Sequence, residues 1–126
     1  MRAIETGLVF DQQGRTLYWI THPGREAGYI PDSHSLWEFL WENRHTIGGV
    51  AHTHPWHGEA SPSRTDVTTF DAIERGLGIR LVWPVITFTD EGYFAWSEES
   101  QGYLRLSEPP VRVADVDELR RQSRGE

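Results

Sequence analysis

The segment from residue 46 to residue 77 constrains the fold of this chain more than any other part of its sequence. Small and apolar residues at 46–51 predict a short strand that leads into His52-Thr53-His54-Pro55. Proline cannot donate a ladder hydrogen bond, so Pro55 is expected to end the strand. After a loop, Ser63-Arg64-Thr65-Asp66 opens a helical pattern with apolar residues at three- and four-residue steps, namely Val67, Phe70, Ile73 and Leu77. A strand, a loop and a helix are therefore expected in succession.

The histidine pair and the aspartate of this segment have the chemistry of a metal site. Alternate residues of a strand point to one face, so the imidazoles of His52 and His54 can reach the same ion. A carboxylate in the first turn of the following helix, Asp66, can face back toward the end of that strand. Two histidines and one carboxylate leave a tetrahedral position for water, which is typical of catalytic zinc sites. The pattern therefore predicts one Zn²⁺ per chain with a bound water, and it points to a metallohydrolase.

A second interpretation of the helix start stays open. Ser63 and Asp66 also fit a capping box, in which the serine caps the helix and the acid reaches back to the serine. Taken alone, Ser-x-x-Asp is better explained by capping, and a lone His-x-His is weak evidence for a metal. The joint pattern of strand, same-face histidines, proline loop and helix start favours metal binding.

These residues resemble the signature of the JAMM or MPN-plus metalloproteases. That signature is a distant glutamate, then His-Ser/Thr-His-Pro, a short loop and Ser-x-x-Asp. The resemblance spans most of the chain and fades after residue 108. One departure is that the loop between Pro55 and Ser63 is one residue longer than in the commonest form of the motif. The resemblance implies a JAMM/MPN-like domain of cytidine-deaminase-like architecture over residues 1–108.

The resemblance also implies a role for each site residue. Zinc would be held by His52, His54 and Asp66. Ser63 would donate a hydrogen bond to the oxyanion that forms on the attacked carbonyl. A glutamate upstream would act as the general base, and Glu5 is favoured over Glu26 because it enters the first strand, well before the central helix and the histidine strand. Glu26 lies in a loop punctuated by glycine and proline, and it is the second candidate.

Other polar residues that could suggest a further metal are expected to be surface or structural residues. They lack a partner at ligand spacing or lie in the lengthened loop 56–62: His22, His34, His45, His57 and Glu59.

Composition agrees with one small folded domain and excludes several classes. There is no apolar run long enough for a membrane span and no N-terminal segment of signal-peptide type. The chain has no cysteine, which excludes disulfides and thiolate zinc sites and is compatible with the cytoplasm, where we expect it. A net charge of −7 argues against nucleic-acid binding and suits a partner with a basic face.

The remaining pattern predicts a single α/β or α+β domain with a mixed, mostly antiparallel sheet flanked by helices. Residues 3–10 and 16–21 are expected to form a hairpin, followed by a loop at 21–32 and a helix capped by Asp32 or Ser33. Strands are expected within 79–89, at 93–96 and at 102–106, with Pro84 marking an edge strand or a bulge. The charged C-terminal extension, residues 109–126, either frays or forms an amphipathic helix through Val113, Val116 and Leu119.

The substrate class is implied by the resemblance rather than by the residues. It implies hydrolysis of an amide or isopeptide bond after the Gly-Gly tail of a ubiquitin-like protein, with activating- or conjugating-enzyme-like proteins of the same system as further partners. Two alternatives remain: a hydrolase of a sulfur-carrier adduct or a cell-wall peptide, and a binding scaffold without catalysis. The scaffold is less favoured, because members of that kind lose metal ligands and this chain keeps them.

Overall fold

The computed structural model of the chain describes residues 3–20 and 34–125. Within these ranges six strands and three helices form a mixed α+β fold. In chain order they are β1 (Gly7–Asp11), β2 (Thr16–Ile20), α1 (His34–Glu42), β3 (Ile47–Thr53), α2 (Arg64–Leu77), β4 (Trp83–Ile86), β5 (Glu91–Ser97), β6 (Gly102–Arg105) and α3 (Val116–Ser123). None of these helices is both long enough and apolar enough to cross a membrane.

All six strands belong to one sheet with the order β2-β1-β3-β4-β5-β6. The pair β3 and β4 is parallel, and the other neighbouring strands pair antiparallel. Parallel neighbours need a crossover connection, and α2 provides it between β3 and β4. The expected mixed, mostly antiparallel sheet is therefore confirmed.

Helices cover both faces of this sheet, because successive strand residues point to opposite sides. One face of the central strands packs with α1 and α2, in a cluster that includes Val9, Val50, Val85, Leu40 and Phe70. The other face packs with α3, in a cluster that includes Leu8, Phe10, Ala51, Ile86 and Leu119. The central strands β1, β3 and β4 are thus buried between two layers, and β3 presents His52 and His54 to the α2 side.

Most of the predicted elements are present, with shifted ends. The hairpin of β1 and β2 forms across the turn at residues 11–14, where Gly14 has a φ of 85°, although β1 begins at Gly7 rather than at residue 3. The helix predicted through Leu36 and Leu40 is α1, and both leucines are buried. The predicted loop at 21–32 and the predicted caps Asp32 and Ser33 lie outside the described residues.

The expectation that Pro84 marks an edge strand or a bulge is wrong. Its strand β4 lies between β3 and β5, and Pro84 pairs with Tyr93 in a register without a shift. Proline is accommodated because the parallel ladder with β3 is interrupted around it. Pairing occurs at the isolated bridge from Gly49 to Val82 and resumes at His52 with Val85, so the missing N–H falls in the gap.

The C-terminal residues form a helix, α3, that begins at Val116, so Val113, which the prediction placed in the helix, lies before it. Val113, Val116 and Leu119 are buried against the sheet. Near the end of α3, Ser123 accepts a backbone hydrogen bond from Ile4 and returns one from its hydroxyl to the Ile4 carbonyl. Hydrogen bonds therefore join the two ends of the described chain beside β1. The division into a domain over residues 1–108 and an extension over residues 109–126 stays a prediction.

Candidate metal centre

Two histidines at the C-terminal end of β3 form the first half of the site. His52 is the penultimate residue of β3 and pairs with Val85 of β4. His54 follows the last residue of β3 and donates its backbone N–H to the Ile86 carbonyl. Their side chains are 0% and 3% exposed, respectively. The two Nε2 atoms lie 3.1 Å apart. The strand spacing thus brings both imidazoles to one point, as the sequence predicted.

Asp66 completes the group from the first turn of α2. Its Oδ2 lies 3.0 Å from Nε2 of His52 and 2.9 Å from Nε2 of His54. The residue is 2% exposed. Burial raises the pKa of Asp66, but the hydrogen bonds from His52 and His54 outweigh it and hold the pKa well below its usual range. The site therefore contains a buried carboxylate that is ionised at neutral pH.

The capping box and the cluster use the same aspartate. The Asp66 backbone N–H donates to Ser63 Oγ at 3.0 Å, and the Ser63 backbone N–H donates to Asp66 Oδ2 at 2.9 Å. This reciprocal pair is a capping box, so that prediction is confirmed. The two interpretations of Ser-x-x-Asp do not compete here, because the cap fixes the carboxylate in the orientation that faces the histidines. Ser63 itself is exposed, and its hydroxyl proton stays available for a further hydrogen bond.

The three facing atoms fit a bound cation. A tetrahedral zinc with bonds of about 2.0–2.1 Å requires ligand atoms roughly 3.3 Å apart, and the observed separations are 2.9–3.1 Å. Each neutral imidazole can donate its Nε2–H to Oδ2 of Asp66. If both do so, the two N–H donors face each other. A cation bound by both Nε2 atoms and by Oδ2 removes this donor–donor conflict. His52, His54 and Asp66 form the one group of this kind within residues 3–20 and 34–125, and the group could hold a metal ion.

Aromatic rings enclose the two imidazoles. Phe70 of α2 lies edge-on to His52, with ring centroids 6.1 Å apart, and it stacks on Trp83 at 4.3 Å. On the other side, the indole of Trp56 lies 4.4 Å from the His54 ring. Neither Nδ1 atom of the histidines makes a hydrogen bond with the described part of the chain. Among the described residues, ring packing and the Asp66 carboxylate at Nε2 thus hold the imidazoles, and no hydrogen-bond partner holds them at Nδ1.

The structure places Glu5 beside the histidine strand. Gly7 pairs with His52, and the Thr53 backbone N–H donates to the Thr6 carbonyl at 2.8 Å, so the same antiparallel register leads to Glu5 opposite His54. Glu5 is 2% exposed. Glycine is suited to position 7, because a Cβ there would lie 2.6 Å from the Ala51 carbonyl oxygen. The assignment of Glu5 as the base stays a prediction, and Glu26 lies outside the described residues.

The polar residues not expected to bind metal lie apart from this group. His34, His45, His57 and Glu59 are all exposed. His34 pairs with Glu38 on α1, and the ring of His57 contacts Phe88 at 5.2 Å. His22 lies outside the described residues.

The lengthened loop 56–62 is fixed at several points, which the sequence did not reveal. The Thr87 hydroxyl donates to the Gly58 carbonyl, and Asp90 accepts from the Ala60 backbone N–H at 2.8 Å. Asp90 is also paired with Arg105, which lowers the pKa of Asp90 to about 2. The order of this loop and the position of Trp56 depend on residues about thirty positions away, and no local pattern indicated them.

Comparison with known proteins does not assign the chain to a family. No family model matches the sequence. No curated protein matches it significantly either. The function of the chain therefore has to be inferred from the site itself.

Proposed function

We propose that this protein is a zinc-dependent isopeptidase of the JAMM or MPN-plus type. Its proposed substrate is the amide bond that follows the C-terminal tail of a ubiquitin-like protein, in a precursor or in a conjugate. The finer description of the fold as a JAMM/MPN-like, cytidine-deaminase-like domain belongs to the same proposal, as does a cytoplasmic location.

One observation carries the proposal. Nε2 of His52, Nε2 of His54 and Oδ2 of Asp66 meet within 3.1 Å of one another in the interior of the protein. Buried polar groups of this kind are costly unless they are paired or bind a metal. A donor set of two histidines and one carboxylate leaves a ligand position open, which favours a catalytic ion over a structural one.

A zinc ion bound by these side chains would act as a Lewis acid and would lower the pKa of a water to about 7. The role proposed for Glu5 is general base and then general acid. Its carboxylate takes a proton as the water oxygen bonds to the substrate carbonyl carbon, and it returns that proton to the leaving amine as the C–N bond breaks. The buried position of Glu5 opposite His54 supports this role.

Ser63 is proposed to stabilise the developing negative charge. Its Oγ already accepts from the Asp66 backbone N–H, and its O–H can donate to the oxyanion on the attacked carbonyl. Loss of one such donor typically costs about 3–4 kcal/mol of barrier.

The proposal is tested by metal analysis together with hydrolysis of a ubiquitin-like protein fused through its C-terminal Gly-Gly to a reporter. We expect one zinc per chain and cleavage by the wild-type protein. Glu5→Gln should keep zinc and lose turnover, and Asp66→Ala should lose both.

Other outcomes separate the alternatives. Normal turnover in Glu5→Gln would move the base to Glu26 or elsewhere. Zinc without cleavage would exclude this substrate and direct the assays to sulfur-carrier adducts and cell-wall peptides. A chain that binds no metal would contradict the proposal and favour a binding scaffold.

A further inference from the structure

Glu5 precedes β1, and hydrogen bonds fix its neighbours on both sides. On one side, the Thr6 backbone N–H donates to Thr53 Oγ1 at 2.9 Å, and the Thr6 carbonyl accepts from the Thr53 N–H at 2.8 Å. On the other side, Ile4 bonds to Ser123 near the end of α3. The Ile4 N–H donates to the Ser123 carbonyl at 2.9 Å, and the Ser123 hydroxyl donates to the Ile4 carbonyl at 2.7 Å. The backbone of Glu5 is thus held between β3 and α3.

The pair of Ser123 and Ile4 uses a group that a helix end leaves open. The last four carbonyls of an α-helix lack an intrahelical partner, and the Ser123 carbonyl is one of them. Ile4 supplies its N–H to that carbonyl and receives the Ser123 hydroxyl in return. Because Ser123 is only 1% exposed, water has little access to the pair. Loss of this hydroxyl therefore removes a donor from the Ile4 carbonyl that solvent does not readily replace.

Gln122 supports the same segment through Thr6. Its side-chain Nε2 donates to Glu118 Oε2 at 3.0 Å, which leaves Oε1 to accept from the Thr6 hydroxyl at 3.1 Å. Thr6 is 2% exposed, so this contact is also remote from solvent. Two consecutive residues of α3 thus hold the residues on either side of Glu5.

The helix itself is attached to the sheet independently of these two residues. Val116 and Leu119 are buried in the cluster on its face of the sheet. The Arg120 guanidinium donates to the Thr87 and Asp90 carbonyls at 2.8 and 3.2 Å. Loss of the Ser123 hydroxyl alone should therefore act locally, without releasing α3.

We infer that Ser123 and Gln122 are positioning residues that hold Glu5 at the metal centre. The inference rests on the proposed function for the role of Glu5. A general base has to lie within hydrogen-bond reach of the proton that it removes, and a misplacement of about 1 Å can cost about 10²-fold in rate. Both positioning residues lie in the C-terminal extension, beyond the part of the chain that resembles the metalloproteases. On this inference the extension is a part of the catalytic unit.

The test compares Ser123→Ala and Gln122→Met with the wild-type protein and with a matched control. Ser123→Ala removes only the hydroxyl, and Gln122→Met removes the acceptor for Thr6 while it keeps the length of the side chain. The control is Ile47→Val, which loses one carbon from a buried residue at the opposite end of β3 from the histidines and so lowers stability without touching the segment of Glu5. Zinc content and the urea midpoint are measured for every variant.

The first measurement is amide hydrogen exchange of the metal-free proteins, resolved by NMR. Ser123→Ala should raise the exchange rates of the Ile4 and Thr53 N–H groups by about three- to tenfold, as for the loss of one hydrogen bond. The His54 N–H donates to the Ile86 carbonyl of β4 instead, so its exchange should match that of the wild-type protein. Gln122→Met should raise the exchange of the Thr53 N–H, and Ile47→Val should leave the ratio of the Thr53 and His54 rates unchanged.

The second measurement locates the Glu5 carboxylate. Co²⁺ replaces zinc, and paramagnetic relaxation of the Glu5 carboxyl carbon, assigned with Glu5→Gln, reports its distance from the ion. Ser123→Ala and Gln122→Met should reduce this relaxation rate, and Ile47→Val should not. In the reporter cleavage assay, both positioning variants should lose about 10- to 10²-fold in kcat with KM and zinc content unchanged, because Glu5 acts in the chemical step. A purely structural role would not separate kcat from KM or move Glu5 relative to the ion.

The outcomes separate this inference from the proposed function. Faster exchange and a displaced Glu5 carboxylate in Ser123→Ala, with no cleavage by any protein, would support the inference and contradict the isopeptidase. Cleavage by the wild-type protein with equal kcat in Ser123→Ala, Gln122→Met and Ile47→Val would contradict the inference alone. Unchanged exchange at Thr53 in both positioning variants would also overturn it, and this result is decisive even if the chain binds no metal.

Discussion

Glu74 is a buried carboxylate that fixes α2, the helix that carries Asp66, against the sheet. It is 3% exposed and accepts four hydrogen bonds. Its Oε2 receives the Leu81 backbone N–H at 2.9 Å and the Trp83 indole N–H at 2.8 Å. Its Oε1 receives Arg80 at 2.7 Å and the Tyr103 hydroxyl at 2.6 Å. Burial raises the pKa of Tyr103, and its bond to Glu74 raises the pKa further, so this hydroxyl stays a donor at neutral and alkaline pH.

Replacement of Glu74 by leucine removes the acceptor of four hydrogen-bond donors. Some of these donors can bond to water instead, and the others cannot. Arg80 is 52% exposed, and Tyr103 is only partly buried, so both can turn toward solvent. Leu81 and Trp83 are buried and their N–H groups can only donate. A buried donor without an acceptor costs about 1–3 kcal/mol, so Glu74→Leu should lower the free energy of unfolding by about 2–6 kcal/mol. Glu74→Gln should cost less, because its amide oxygen can still accept from both fixed donors.

The assay is urea unfolding, with Asp71→Asn as the matched control on the same helix. Asp71 forms an exposed pair with Arg75, and removal of such a pair costs about 0–1 kcal/mol. The expected order of destabilisation is Glu74→Leu, then Glu74→Gln, then Asp71→Asn. Equal stability of Glu74→Leu and Asp71→Asn would contradict this prediction, since it would show that the buried donors do not need Glu74.

Three further predictions concern the site and its loop. Ser63→Ala should lower stability by roughly 0.5–2 kcal/mol through the lost cap and lower kcat by about 10²–10³-fold, whereas Ser63→Thr should keep the cap; urea unfolding and reporter cleavage measure the two effects. Chelation at fixed pH should stop hydrolysis before it melts the fold, because the proposed ion would be a catalytic one on a preformed domain, and a large fall in Tm with chelator would instead indicate a structural metal. Arg105 and the Ala60 N–H lower the pKa of Asp90 from 3.8 to about 2, so this carboxylate contributes stability that is present above about pH 4 and lost as the pH falls toward 2. Asp90→Asn should therefore flatten the loss of stability in that window, and an unchanged acid profile would contradict the assignment.

The grouping of His52, His54 and Asp66 was predictable because its signals are local. The spacing of His52 and His54 and the helix start at Ser63 and Asp66 each follow from rules that span a few residues. The structure then brings these elements together through the crossover from β3 to α2. The position of Glu5 depends instead on the long-range register of β1 with β3, which the sequence alone did not define.

Features that depend on distant partners were missed. Glu74 has the sequence character of an ordinary helix residue, and its donors come from β4, from β6 and from the loop before β4. Pro84 suggested an edge strand because a proline lacks the ladder donor, yet the interruption of the β3–β4 pairing accommodates it in the centre of the sheet. The anchoring of Trp56 likewise depends on contacts with residues 87–90.

The most direct test of the proposed metal site measures zinc content and Gly-Gly reporter cleavage on the same samples of the wild-type protein and Glu5→Gln. We expect one zinc per chain in both proteins and cleavage by the wild-type protein only. A wild-type chain that binds no zinc when zinc is supplied would contradict the central claim that His52, His54 and Asp66 form a catalytic metal site.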